Sequence, residues 1–296
     1  MLESYHIIED LRQSDNWARF MKSLGWERVS LGDGVGIGYL RKFLGIFTII
    51  KIQRPRKLLD EKEIDALARK NKAILVKIEP KQGEIGDIGC RSYRKKDNWP
   101  LLPPSEVHLN LDRSEEDILK SFSESARRNL KKISELRFQI SEFKKELDPT
   151  TIERFWKMFS ISGEEKGYFV ENLNILKNKI GSFLGNGYLV LVEDTKGDLV
   201  AGICVLEHNG MAYYDLAGAT KEGKKLNAPY FALWQAILEA KKRGCEVFNL
   251  EGVYDPRFHD FTKKWKGFTE FKSRFGGLKV EYPGSFSKWY LFGHHF

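Results

Sequence analysis

The stretch Asn227-Ala-Pro-Tyr-Phe-Ala-Leu-Trp-Gln-Ala-Ile-Leu-Glu-Ala-Lys-Lys-Arg-Gly244, continuing as Cys245-Glu-Val-Phe-Asn-Leu-Glu-Gly252, decides the fold. Pro229 marks a helix start, where its missing N–H is not needed. Tyr230, Leu233, Trp234, Ile237 and Leu238 recur at helical spacing and give the helix an apolar face. Lys241, Lys242 and Arg243 suit the negative end of its dipole, and Gly244 stops it. Val247 to Leu250 reads as a buried strand ending in Glu251 and Gly252. Further on comes Glu270-Phe-Lys-Ser-Arg-Phe-Gly-Gly277. That order puts an acid and a lysine near the carboxyl end of a strand, where open sheets place ligands.

Upstream of this helix, Tyr188 to Glu193, Leu199 to Glu207 and Met211 to Leu216 read as a meander. Its turns are Thr195-Lys-Gly-Asp198 and Asn209-Gly210, the latter a strong hairpin signal. Before it lie a helix opened by Asp148-Pro149, with Ile152, Phe155, Trp156 and Phe159 inward, and another over residues 172–184. The first half repeats the order more loosely. A helix over residues 15–24 precedes strands at residues 27–30 and 35–52, with turns at Gly32-Asp-Gly34 and Leu44-Gly45. A helix over 60–70 and a strand over 73–78 follow, then a long loop over 80–105 rich in Gly, Pro and charge. Val107 to Leu111 is a strand. Ser114 starts a long helix whose stripe runs from Ile118 to Ile133, and a strand over 138–143 completes the half. Meander, helix, strand is the order of the N-acetyltransferase fold. The expected class is therefore α+β, with two tandem domains of that type. Their expected bounds are 1–145 plus 276–296, and 146–275.

Composition fits this size. With 42% hydrophobic residues and 13% aromatics in 296, two cores can be filled. No apolar run is long enough to cross a membrane, and the N-terminus carries Glu3, Glu9 and Asp10 rather than an apolar signal segment. A cytoplasmic protein with reduced thiols at Cys90, Cys204 and Cys245 is expected. The net charge of +8 suits an anionic partner, and a soluble basic protein without one also fits. Scattered histidines and the lack of H-E-x-x-H and C-x-x-C argue against a metal site. The glycine loop that holds coenzyme A in acyltransferases of this fold is missing from Ala217-Gly-Ala-Thr-Lys-Glu-Gly-Lys-Lys-Leu-Asn-Ala228, so that cofactor is not expected.

Arg127, Arg128, Lys131 and Lys132 stack at i,i+4 on adjacent turns, where like charges repel by a few tenths of a kcal/mol per pair. An anionic partner offsets that repulsion, and a solvated helix face tolerates it. Lys263 to Arg274 interleaves cations with aromatics, a pattern for phosphate contact with stacking, or for a core with lysines outside.

Five segments together resemble the FemABX family, the aminoacyl-tRNA-dependent peptidyltransferases that build peptidoglycan cross-bridges. They are Ser125-Ala-Arg-Arg-Asn-Leu-Lys-Lys132, Tyr213-Tyr-Asp-Leu-Ala-Gly-Ala219, Asn227 to Ile237, Phe248-Asn-Leu-Glu-Gly252 and Phe271-Lys-Ser-Arg-Phe-Gly-Gly277. The similarity spans roughly residues 105 to 285, and no coiled-coil arm is inserted. Asn249 departs from the aspartate often found there.

The resemblance implies transfer of an amino acid from aminoacyl-tRNA, a co-substrate rather than a cofactor, to the stem-peptide amine of a UDP-linked or lipid-linked muropeptide. Lys272 then steadies the oxyanion, and Glu251 or Asp215 takes the amine proton, unless the tRNA ribose hydroxyl shuttles it. A backbone-bonding role is the favoured reading of Asp215. Arg127, Arg128, Lys131, Lys132, Lys22, Asn227, Tyr230 and Arg274 are the candidate substrate contacts. A monomer is expected, and no metal. The aromatic tail Phe286, Trp289, Tyr290, Leu291 and Phe292 either touches the inner face of the plasma membrane or packs on the first domain. Two other classes fit the same residues: another transferase of this fold, acting on protein N-termini or from acyl-coenzyme A, and a non-catalytic RNA-binding module.

Overall fold

In the computed structural model, described residues are 8–43, 47–81, 96–133, 136–145, 147–165 and 170–290. The turn at Leu44-Gly45, most of the loop over 80–105, Cys90, Leu291 and Phe292 lie outside them. The chain forms two compact units: residues 1–106, 252–266 and 280–296, and residues 107–251 and 267–279.

In the first unit, helix α1 (Asp15–Ser23) leads into strands β1 (Glu27–Ser30), β2 (Ile37–Phe43) and β3 (Phe47–Gln53). Helix α2 (Glu61–Lys70) then crosses to β4 (Ala73–Glu79), which pairs parallel with β3. Asp60 and Glu63 cap α2 reciprocally, so its start is fixed by two side chains. A short strand β5 (Lys96–Asp97) follows. The core gathers Ile50, Ile52, Ile64, Leu67, Val76 and Ile78, which alternate along the strands or recur at helical spacing.

The second unit takes up β6 (Ser105–Asn110), α3 (Glu115–Lys120), α4 (Glu124–Lys131), β7 (Arg137–Glu142), α5 (Pro149–Glu164) and α6 (Leu173–Ser182). The meander β8 (Gly187–Glu193), β9 (Leu199–His208) and β10 (Met211–Ala219) follows. Helices α7 (Lys221–Lys225) and α8 (Ala228–Lys242), strand β11 (Val247–Gly252), helix α9 (Lys266–Ser273) and strand β12 (Leu278–Glu281) complete the unit. The chain returns to the first sheet as β13 (Ser285–Trp289). The sheets run β1-β2-β3-β4-β13-β5 and β12-β6-β11-β10-β9-β8-β7. Each thus contains a meander, a helix and a strand parallel to the meander's last one, as the sequence order implied.

Two expectations change, and one open alternative is resolved. The boundary at residue 145 moves to residue 106, because β6 joins the second sheet and β7 pairs with β8 from Arg137↔Glu193 to Glu142↔Tyr188. The long helix from Ser114 is two short ones. Ser123 caps the Ala126 N–H, and the Arg127 guanidinium donates to the carbonyls of Lys120 and Phe122 at 2.8 and 2.6 Å. These groups satisfy backbone that a continuous helix would have bonded internally. In the aromatic tail, Phe286 belongs to the first unit's core and Tyr290 packs against it, whereas Trp289 is 69% exposed.

One buried carboxylate anchors the chain after β11. Asp255 is fully buried and accepts from the Ser105 hydroxyl and the Arg257 guanidinium, both at 2.7 Å. Burial pushes its pKa up, but these hydrogen bonds outweigh it and hold the value at about 2. A depressed carboxylate stabilises the fold above its unfolded pKa and loses that contribution as pH falls through the folded one. Acidification from about pH 4 to pH 2 is therefore expected to remove about 2 kcal/mol through this group. Urea melts across that range should show a shallower loss in Asp255→Asn; equal slopes contradict the assignment. Gly218 gives a second test. An added Cβ would sit 2.9 Å from both Met158 Sδ and Phe159 Cα on α5. Gly218→Ala is expected to cost about 1–3 kcal/mol in the same melts, and an unchanged midpoint contradicts the close approach.

Candidate functional site

The site follows from the way β10 and β11 separate. They pair in parallel at Met211↔Val247, Ala212↔Phe248 and Tyr213↔Asn249, and no further. Yet β10 runs on to Ala219 and β11 to Gly252. On β10 the ladder to β9 slips between Tyr214 and Leu216, which leaves Asp215 as the extra residue of a bulge. A bulge bends its strand and re-aims a side chain. On β11 the buried Asn249 accepts the Glu251 N–H at 2.7 Å, and Glu251 adopts φ +59°, a left-handed conformation uncommon for a side chain of its kind. The Asn249 amide oxygen thus shapes the strand end. The two strands open toward their carboxyl ends, where open sheets hold ligands.

Lys272 stands on one side of this opening. It lies on α9, is 6% exposed, and holds its ammonium 4.8 Å from the Phe268 ring centre and 5.4 Å from that of Tyr214. Aromatic faces attract a cation, more strongly where water is excluded. Tyr214 pairs with Val205, and Val205 with Tyr188, whose hydroxyl donates to the Ala236 carbonyl at 2.7 Å. Cross-strand partners share a face, so Tyr214 and Lys272 belong to the α8 face.

An aromatic cluster fixes α9. Tyr230 lies 5.1 Å from Phe271 and 5.7 Å from Phe275, and Phe122 lies 5.0 Å from Phe275 and 5.4 Å from Trp234. The glycines that follow are needed by conformation and by space. Gly276 has φ +74° and Gly277 φ +92°, and an added Cβ would come within 2.8 Å of the Ser121 and His108 carbonyl oxygens. The Phe271-to-Gly277 segment is thus a packed, backbone-locked support for one lysine.

Asp215 lies on the opposite face. Leu216, next along β10, pairs with Cys204, which alternates in step with Gly202 against Phe155 and Met158 of α5. There Lys179, on α6 and 2% exposed, donates to Asp215 and Glu171 at 2.8 Å each. Asp215 therefore bonds a side chain, not the backbone partner that sequence favoured. Burial opposes the Lys179 charge, but the two carboxylates outweigh it and hold its pKa above that of an ordinary lysine. Burial, helped by Asp215, raises the pKa of Glu171.

The fold accordingly brings Lys272, Tyr230 and Arg274 together on one face and sets Asp215 on the other, with Glu251 at the end of β11. Arg274 is engaged with the Tyr230 hydroxyl and with Glu270 at 2.7 Å. Arg127 is engaged with helix-end carbonyls, which corrects its reading as an open substrate contact. Arg128, Lys131 and Lys132 are exposed at α4, and Lys22 is exposed on α1 of the first unit. Asn227 opens α8 at φ +58° without a side-chain cap bond. Sequence reading missed Lys179 and Glu171. The signal was a lysine inside the buried stripe Leu176, Ile180, Phe183. Among the described residues no group of three or more His, Cys, Asp and Glu is placed to hold a metal, and no helix is long and apolar enough to cross a membrane.

Residues 190–290 match the model of the FemAB family, a range that holds Asp215, Glu251 and Lys272. Among solved structures, FemX superposes with a TM-score of 0.76 at 16% identity, over 96% of this chain and 93% of that one. L-PGS from Bacillus licheniformis gives 0.54 at 14% identity, over 89% and 83%. A tandem GNAT protein from the clavulanic acid pathway gives 0.53 at 9% identity, over 86% and 79%. No curated protein matches the sequence. The resemblance to the FemABX family is thus met by the FemAB pattern over residues 190–290, on a chain with the α+β fold of FemX.

Proposed function

We propose that this protein is an aminoacyltransferase that moves an amino acid from aminoacyl-tRNA to the stem-peptide amine of a peptidoglycan precursor. The observation that carries this reading is the buried Lys272 ammonium, held over Phe268 and Tyr214 beside the parted ends of β10 and β11. The amine nitrogen attacks the ester carbonyl carbon, the C–N bond forms, and the carbonyl oxygen gains charge. A fixed cation in a water-poor site stabilises that charge without reorganising. The ester C–O bond then breaks, and the ribose oxygen leaves with the proton taken from the amine. Glu251, at the end of β11, or Asp215, reached through the gap between the strands, takes this proton.

The phosphates of tRNA and of the acceptor call for cations, and Arg128, Lys131 and Lys132 supply an exposed set. The start of α8 weighs against coenzyme A. Pro229 removes one N–H from the helix terminus, where a pyrophosphate would seek donors. Both substrates meet in the cytoplasm, at or near the inner face of the plasma membrane.

Lys272→Met keeps the packing of the stem and removes the charge. Single-turnover transfer should fall about a hundredfold with the melting temperature held. A rate within about twofold of the parent removes Lys272 from the mechanism. For RNA, neutralising Arg128, Lys131 and Lys132 together should reduce the slope of log affinity against log salt by about 2. An unchanged slope moves the RNA contact elsewhere.

A further inference from the structure

We propose that Lys179 is a positioning residue for proton transfer: it ties Glu171 and Asp215 into one cluster of net negative charge and presents Asp215 at the bulge of β10. The inference rests on the aminoacyl-transfer reading above. Three observations carry it. Asp215 is the residue that the β9–β10 ladder skips, so a side-chain partner, not the ladder, sets its direction. That partner is the Lys179 ammonium, 2% exposed and equidistant at 2.8 Å from both carboxylates. Asp215 and Glu171 remain 17% and 21% exposed, so the cluster hides its cation and leaves its anions in partial reach of solvent, the second Glu171 oxygen being buried.

The charge count gives the cluster its use. Two carboxylates and one ammonium sum to one negative charge, which attracts an incoming ammonium group. That group gives one proton to water as it binds; when its nitrogen attacks the ester it gives a second to Asp215, and the cluster becomes neutral. The proton passes on to the ribose oxygen as the ester C–O bond breaks, and the cluster recovers its charge. A lone Asp215–Lys179 pair would be neutral at the outset; Glu171 supplies the net negative charge. Among the described residues, the titratable and charged groups facing Asp215 are Lys179 of α6, Glu171 before α6, and the buried Cys204 thiol of β9. Near Gly218 and Ala219 the α5 neighbours are the neutral Met158, Phe159 and Ser162.

The test is the pH profile of kcat/KM for transfer from charged tRNA to a UDP-linked muropeptide. It is measured for the parent and for Lys179→Met, Lys179→Arg and Glu171→Gln. Without the ammonium, the neighbouring carboxylates repel one another, so Lys179→Met should move the acid limb up by about one pH unit or more. Lys179→Arg should restore it. Glu171→Gln, which keeps the ion pair and removes one like charge, should move the limb down, and it keeps the proposal testable if Lys179→Met fails to fold. A variant whose rate falls equally at every pH, or whose limb stays in place, overturns the positioning role while the transferase reading stands. A parent that transfers nothing from charged tRNA overturns that reading and this role with it.

Discussion

Strands β10 and β11 share a ladder for only three residue pairs, and the placement of every candidate reactive group depends on their separation beyond it. Continued pairing would close the carboxyl end of the sheet and leave Lys272 beside a wall. Two local devices prevent this. The bulge at Asp215 bends β10, and the Asn249 amide draws Glu251 into a left-handed turn that ends β11. Each sacrifices backbone regularity, which ordinarily persists only where surrounding structure over-determines it. The surroundings at Gly218 are the close packing of α5.

Holding a cation at such an opening is a separate problem. A lysine withdrawn from water loses hydration, and the loss must be offset locally. The two buried lysines of the second unit are offset differently. Lys272 lies over the rings of Phe268 and Tyr214, which attract its ammonium. Lys179 is bonded to two carboxylates, so its charge is consumed within the protein and acts by orientation. The contrast follows from the sheet's two faces, one bearing Tyr214 and the other Asp215.

Much of the architecture was legible in the sequence. Pro229, the apolar spacing through Leu238 and Gly244 fixed α8, and Asn209-Gly210 fixed the hairpin between β9 and β10. Lys272 was singled out through the resemblance of Phe271-Lys-Ser-Arg-Phe-Gly-Gly277 to the FemABX segment, and in the structure that segment is fixed by ring packing and by positive φ at both glycines. The unit boundary was not, since it depends on β6 and β7 pairing with strands far along the chain, and periodicity does not reveal partners. Nor was the break between α3 and α4, where serine caps and one arginine override a continuous apolar stripe. The cluster of Lys179, Glu171 and Asp215 joins residues 8 and 36 positions apart, a proximity that only folding creates.

The proposed function requires the opened strand pair to receive an activated aminoacyl ester. The direct measurement is mass spectrometry of a UDP-linked muropeptide incubated with the purified chain and bulk charged tRNA. The structure calls for a mass gain of one aminoacyl residue that vanishes when the tRNA is deacylated first. No gain with charged tRNA, or a gain that needs only an acyl-coenzyme A, contradicts it.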